Sequence, residues 1–192
     1  MLKLITEDDT TRRSYATWTV RAGPAFLFTL RQAPGRGLPV WWMDSIAEPE
    51  HTHGLCSCGA GDSLAAASLL HGFELGIAAT ARWIAVELLK HPAPPTMAAK
   101  RRGIDGVALW LVQAQRGKPS RTLRLHSAST EGGAHVVLGT VDQAGPVYTT
   151  ISNAVGASGH VYQLATKEHA LAALIEHAAP WIAAALLKGV EP

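Results

Sequence analysis

Apolar and polar residues alternate over residues 15–21 and again over 26–31, with Ala22-Gly23-Pro24 between them. That pattern predicts a β-hairpin, because successive side chains on a strand point to opposite faces and Gly-Pro favours a turn. Gly35-Arg36-Gly37 then interrupts the chain, and residues 38–46 predict a third strand. Beyond them, Leu70, Phe73, Ile77, Ile84 and Leu88 recur at helical spacing, so a long helix is expected to end near Lys90, with Asp62 or Ser63 as its cap. Gly72 and Gly76 either weaken that helix or allow a neighbour to approach closely.

The second half of the chain repeats the pattern. Residues 107–115 and 121–127 predict a hairpin around Arg116-Gly117-Lys118-Pro119, and strands at 135–141 and 147–152 follow. A short run over 160–165 leads to Thr166, the expected N-cap of a second helix, whose stripe is Leu171, Ile175, Ala178, Ile182 and Leu186. Pro180 is expected to kink that helix or start a new segment, since proline removes a backbone donor.

The two helices also match residue by residue. ARWIAVELLKHPAP begins at Ala81 and APWIAAALLKGVEP at Ala179, so Trp83, Ile84 and Lys90 return as Trp181, Ile182 and Lys188, 98 residues later. At that offset His71 meets His169 and Asp44 meets Asp142; upstream, Trp18 aligns with Trp110, and Thr29-Leu30-Arg31 with Thr122-Leu123-Arg124. Two Ala/Leu-rich helices match in part by chance, but Trp and Lys at one spacing after similar strands point to tandem duplication. The fold class expected is therefore α+β, with two tandem homologous units paired as a pseudo-dimer. Each unit would be an antiparallel β-meander of three or four strands followed by one long helix. Residues 1–90 form the first unit, 91–103 the Pro-rich linker with Lys100-Arg101-Arg102, and 104–192 the second.

Composition narrows the function more than it names it. Of 192 residues, 47% are hydrophobic and 17% charged, the balance of a soluble globular chain. The most apolar window, residues 170–187, carries Glu176, His177 and Pro180 near its middle and reads as a buried helix, not a membrane span. No apolar stretch of signal-peptide length opens the chain, and Cys56 and Cys58, the only two cysteines, cannot build a disulfide framework, so a reducing cytoplasm is expected. A formal charge of +2 is small for a nucleic-acid binder, which leaves local clustering to decide.

Two clusters are candidates for chemistry. His51, His53, Cys56 and Cys58 lie within eight positions, and two imidazoles with two thiolates are a permitted tetrahedral zinc set. The spacing lacks separated C-x-x-C knuckles, the second half has no counterpart, and a solvated loop with free thiols is the competing reading. The second cluster is basic and aromatic: Arg21, Arg31, Arg124 and His126 on predicted strands, the adjacent Trp41 and Trp42, and Arg116, Lys118 and Arg121 at a hairpin tip. Cations at strand surfaces neutralise phosphates, and an exposed indole stacks on a base. Ordinary solvated charges and buried tryptophans are the alternative. Gly59-Ala60-Gly61 lacks the Lys-Ser/Thr of a P-loop, Gly156-Ala157-Ser158-Gly159 is too short for a nucleophile elbow, and no acid–base pair assembles from spacing.

The repeated blocks around Trp18/Trp110, Thr29–Arg31/Thr122–Arg124 and Trp83–Lys90/Trp181–Lys188 give a plan of meander plus long helix in tandem, which resembles the whirly-type and Pur-alpha-type single-stranded nucleic-acid binders. The resemblance is one of topology over most of the chain and implies a pseudo-dimer whose sheets bind unpaired bases. The functional expectation is a non-enzymatic module that binds nucleic acid, single-stranded by preference. The alternatives are a protein-interaction or self-association module and a small zinc-binding regulator built on His51 to Cys58.

Overall fold

In a computed structural model of the protein, residues 1–8, 16–33, 40–45, 64–66, 68–90, 106–113, 122–129, 135–153 and 161–188 are described. The first part of the chain forms β1 (Leu2–Asp8), β2 (Thr17–Ala22), β3 (Ala25–Ala33), β4 (Val40–Ser45), β5 (Leu64–Ala66) and α1 (Leu69–Lys90). The second forms β6 (Val107–Gln113), β7 (Thr122–Ser129), β8 (His135–Ala144), β9 (Val147–Ser152), β10 (Val161–Leu164) and α2 (Lys167–Lys188). The protein is thus α+β. Among the described residues all ten strands join one antiparallel sheet in the order β10-β9-β8-β7-β6-β1-β2-β3-β4-β5. That order reads outward from the β1–β6 pair in both directions.

The hairpins fall where alternation places them, with Gly23 and Gly145 at positive φ in their tight turns. The meanders are longer than the expected three or four strands. β1 and the short β5 have no place in the sequence expectation, and β1 is the strand that joins the two halves. The first helix begins at Leu69, not near Asp62 or Ser63. Ser68 caps it, its Oγ accepting from the His71 amide at 3.1 Å. Thr166 caps α2 as expected, accepting from the His169 amide at 3.2 Å. Caps and first-turn amides therefore stand 98 residues apart, as Trp83 and Trp181 do. Every buried position of α1, from Gly72 to Leu88, has a buried counterpart 98 residues on, from Ala170 to Leu186. Residues 167–188 form one helix through Pro180, which is exposed, so the carbonyl it deprives of a donor lies on the side that water reaches. By length and composition α2 would suffice to cross a membrane, yet 61% of its apolar window is buried within this fold.

The strands repeat a register as well as an order. β2 and β3 slip by one residue at Val20/Arg21, leaving Leu27 unpaired, and β7 and β8 slip at Leu125/His126, leaving Leu138 unpaired. Both extra leucines are fully buried. Matching the two bulges equates β2 with β7 at an offset of 105 residues and makes Leu2, Lys3 and Leu4 the counterparts of Val107, Ala108 and Leu109. Across the join, Leu2 faces Leu109, Lys3 faces Ala108 and Leu4 faces Val107. Lys3 therefore meets its own counterpart, and the residues flanking it exchange partners. The alignment of Trp18 with Trp110 is off by one strand: Trp18, on β2, packs against the main core, whereas Trp110, on β6, belongs to a separate small cluster. Asp44 and Asp142 likewise lie on β4 and β8, strands of different rank.

Both helices lie on one face of the sheet and against each other. Alternation from Leu4, through its partners Ala22 and Val107, puts Val20, Phe28 and Leu30 on the same face as Leu109, Leu125 and Gly139. The core is built there by close approach. A Cβ at Gly76 would stand 2.4 Å from the Phe28 ring, and one at Gly139 would stand 2.4 Å from both Leu174 Cδ1 and the Ile151 carbonyl oxygen. Gly76 and Leu174 are 98 residues apart, so one half seats a ring against a helix glycine and the other seats a helix leucine against a strand glycine.

Two outcomes follow from this packing. Gly76→Ala should lose about 1–3 kcal/mol through overpacking despite alanine's better helix propensity. Adding Phe28→Leu should recover part of that loss, so a double-mutant cycle by urea denaturation should show favourable coupling. Gly139→Ala, which meets backbone, should gain nothing from Leu174→Ala beyond additivity.

Candidate functional site on the helix-free face

The face away from the helices carries the other half of each alternation: Lys3 and Ile5 on β1, Arg21 on β2, Arg31 on β3, Trp110 and Val112 on β6, and Arg124 and His126 on β7. The four strand residues expected to meet phosphate, Arg21, Arg31, Arg124 and His126, thus share one face. Their states differ. Arg31 and Arg124 are exposed. Arg21 donates from Nε to Glu7 Oε2 at 2.9 Å, and its guanidinium carbon sits 5.6 Å from the Phe26 ring centroid.

His126 departs most from expectation. It is only 7% exposed, because Trp110 and His135 crowd it from the neighbouring strands. Its Nδ1 lies 2.5 Å from His135 Nε2, and the ring centroids are 4.7 Å apart with planes inclined by 14°. With the nitrogens so close, that centroid separation is filled by the two ring radii in line. The imidazoles therefore meet edge to edge, nearly coplanar, and share a hydrogen bond. Trp110 lies parallel to both within 18°, at 5.7 Å from His126 and 5.4 Å from His135. With Ala108, Ala128 and Val112 the indole makes a second small apolar cluster. Trp110 Nε1 and His126 Nε2 are buried with no hydrogen-bond partner among the described residues.

Burial, then His135, then Arg124 pull the His126 pKa from 6.5 to about 4. Desolvation penalises the charged ring, and the two neighbours add unfavourable charge. His126 is thus a neutral imidazole at pH 7 and does not serve as a cationic phosphate contact. At the matching positions of the first half stand Ile5, Arg21 and Glu7, the counterparts of Trp110, His126 and Val112. One half holds an ion pair between two of these positions, and in the other the neutral His126 ring pairs instead with His135 on β8.

The remaining expected site residues are placed less fully. Trp42 and Trp41 pair in backbone register with Arg31 and Gln32, but their side chains lie outside the described residues. Arg116, Lys118 and Arg121 lie outside them too, as do His51, His53, Cys56 and Cys58. Among the described residues no group of three or more His, Cys, Asp or Glu is placed to hold a metal. Sequence reasoning missed Trp110 and His135 as site residues. The available signal for Trp110 was an aromatic at the outward phase of an alternating strand, between Leu109 and Leu111; His135, followed by the apolar run Val136-Val137-Leu138, carried none. No protein-family model, curated protein or solved structure matches the chain.

The buried imidazole makes stability depend on pH. Its folded pKa lies below its unfolded value, so the unfolded chain takes the proton first, and the stabilisation present above pH 6.5 is lost as pH falls toward 4. Between pH 7 and 4.5 this amounts to about 2–3 kcal/mol. Urea denaturation at the two pH values should show that loss, and His126→Gln should shrink the difference by a similar amount.

Proposed function

We propose that the protein is a non-enzymatic binding module that takes single-stranded nucleic acid across the helix-free face of its sheet. One observation carries this reading: both helices cover one face, and the opposite face carries Lys3, Arg21, Arg31 and Arg124 against Glu7 and Asp142 among the described side chains. Strands lie about 4.8 Å apart, so β3 and β7, four steps from one another, set Arg31 and Arg124 at a spacing that spans several nucleotides. The Arg21–Glu7 pair is part-exposed and contributes about 0–1 kcal/mol, little enough for a phosphate to displace the carboxylate.

Under the same reading the chain is a duplicated unit paired as a pseudo-dimer. The repeated caps, the helix positions 98 residues apart, the matching bulges and the self-complementary β1–β6 register support it. The register aligns β1 with β6, so the comparison rests on pairing and not on the match of Trp18 with Trp110.

A second reading, association with a protein or with a second copy, rests on Ile151. It is 37% exposed on β9 and pairs with Thr140, hence lies on this same face. Size-exclusion chromatography with light scattering addresses self-association, which a dimer lost in Ile151→Asp would support.

Fluorescence anisotropy of labelled single-stranded oligonucleotides over a salt series tests the nucleic-acid reading. Binding should be tightest at low salt, and Arg124→Glu should weaken it while reducing the log–log salt slope by about 0.7 for each phosphate no longer neutralised. Absence of binding at low salt would contradict it.

A further inference from the structure

The phosphate reading leaves the Trp110, His126 and His135 cluster without a role, and the cluster has the makings of a metal site. We propose that His126 and His135 form a two-imidazole site for a late first-row divalent cation, with Cu(II) the tightest binder. His126 Nδ1 and His135 Nε2 already point at one another, 2.5 Å apart, on adjacent strands whose register fixes them. A metal ion on the line between them, with bonds of about 2.0–2.1 Å to each, sits in trans geometry and needs the nitrogens about 4 Å apart, so one ring must withdraw by about 1.5 Å. His135 is exposed and is the first residue of β8, so it is the ring that moves; His126 is held between Trp110 and its own strand.

The chemistry selects the ion. Both donors are imidazole nitrogens, which suit copper, nickel and zinc, and the order of affinities for such ligands peaks at Cu(II). Magnesium and calcium require oxygen ligands that this pair does not offer. Proton balance is simple. The proton shared between the facing nitrogens moves to the far nitrogen of the ring that carried it, so each imidazole keeps one N–H and none is released. For His126 that far nitrogen is Nε2, the buried atom that now lacks a partner. Among the described residues no third protein ligand joins the pair, so water completes the shell.

Trp110 reports on the site, because its ring lies 5.4–5.7 Å from both imidazoles and a bound Cu(II) quenches it. The competing ligands in the chain are His51, His53, Cys56 and Cys58, so the experiment uses the full chain with His51→Ala, His53→Ala, Cys56→Ser and Cys58→Ser. On that background Cu(II) should bind once per chain and remove at least half of the emission that Trp110→Phe abolishes, with recovery on adding EDTA. The Cu(II) spectrum in electron paramagnetic resonance should show two nitrogen donors. His135→Ala, a change at an exposed position, should lose both the quench and the bound copper. If the Trp110 emission is indifferent to Cu(II), the pair shares a proton and nothing more, and the proposal is overturned. A quench that survives His135→Ala also overturns it.

Discussion

Three residue pairs between β1 and β6 hold this structure together as one sheet. They are short for a ladder, and their geometry depends on Gly106, which enters β6 at φ +95°. A Cβ there would lie 2.1 Å from the Leu4 carbonyl oxygen, so a side chain is excluded both by backbone conformation and by space. With the join in place, Leu4 and Leu109 point to the same side, and α1 and α2 are brought onto one face and against each other. Together with the packing of α1 on α2, the join gives the two meanders one shared core.

The same join makes the opposite face continuous, and there the two halves diverge. Equivalent register positions hold Ile5 and Arg21 in one half and Trp110 and His126 in the other; Arg21 pairs with Glu7 on β1, whereas His126 pairs with His135 on β8. A part-exposed ion pair keeps its charges because water still solvates them. His126, pressed against an indole, stays neutral because its charge would be desolvated. The same face thus carries exposed and paired cations on one stretch and a buried, indole-flanked imidazole on another.

Much of the scaffold is legible in the sequence. Helical spacing locates both helices, Thr166 stands where a cap is expected, and Gly-Pro marks the first hairpin turn. β1 is not legible, because Leu2 and Leu4 alternate in a segment whose acidic end outweighs them, and its value lies in a partner more than 100 residues away. The start of α1 is misplaced by sequence because Asp62 and Ser63 are good caps in isolation, whereas burial of the stripe begins at Gly72 and sets the cap at Ser68. Trp18 and Trp110 look alike in a linear comparison yet face opposite sides of the sheet, a difference only strand register decides. The candidate site is half visible: alternation marks His126 as outward-facing, but its burial depends on His135 and Trp110, which alternation alone does not bring together.

The dependence of both halves on the β1–β6 join is most directly tested by amide hydrogen exchange in the native protein and in Gly106→Ala. In the native protein the amides of residues 2–4 and 107–109 that pair across the join should open with the same free energy as the centres of α1 and α2, as one cooperative unit. Gly106→Ala should lower protection in the join and in both helices together. Loss of protection at the join while both helices keep theirs would contradict the account, because the halves would then be stable without the strand that unites them.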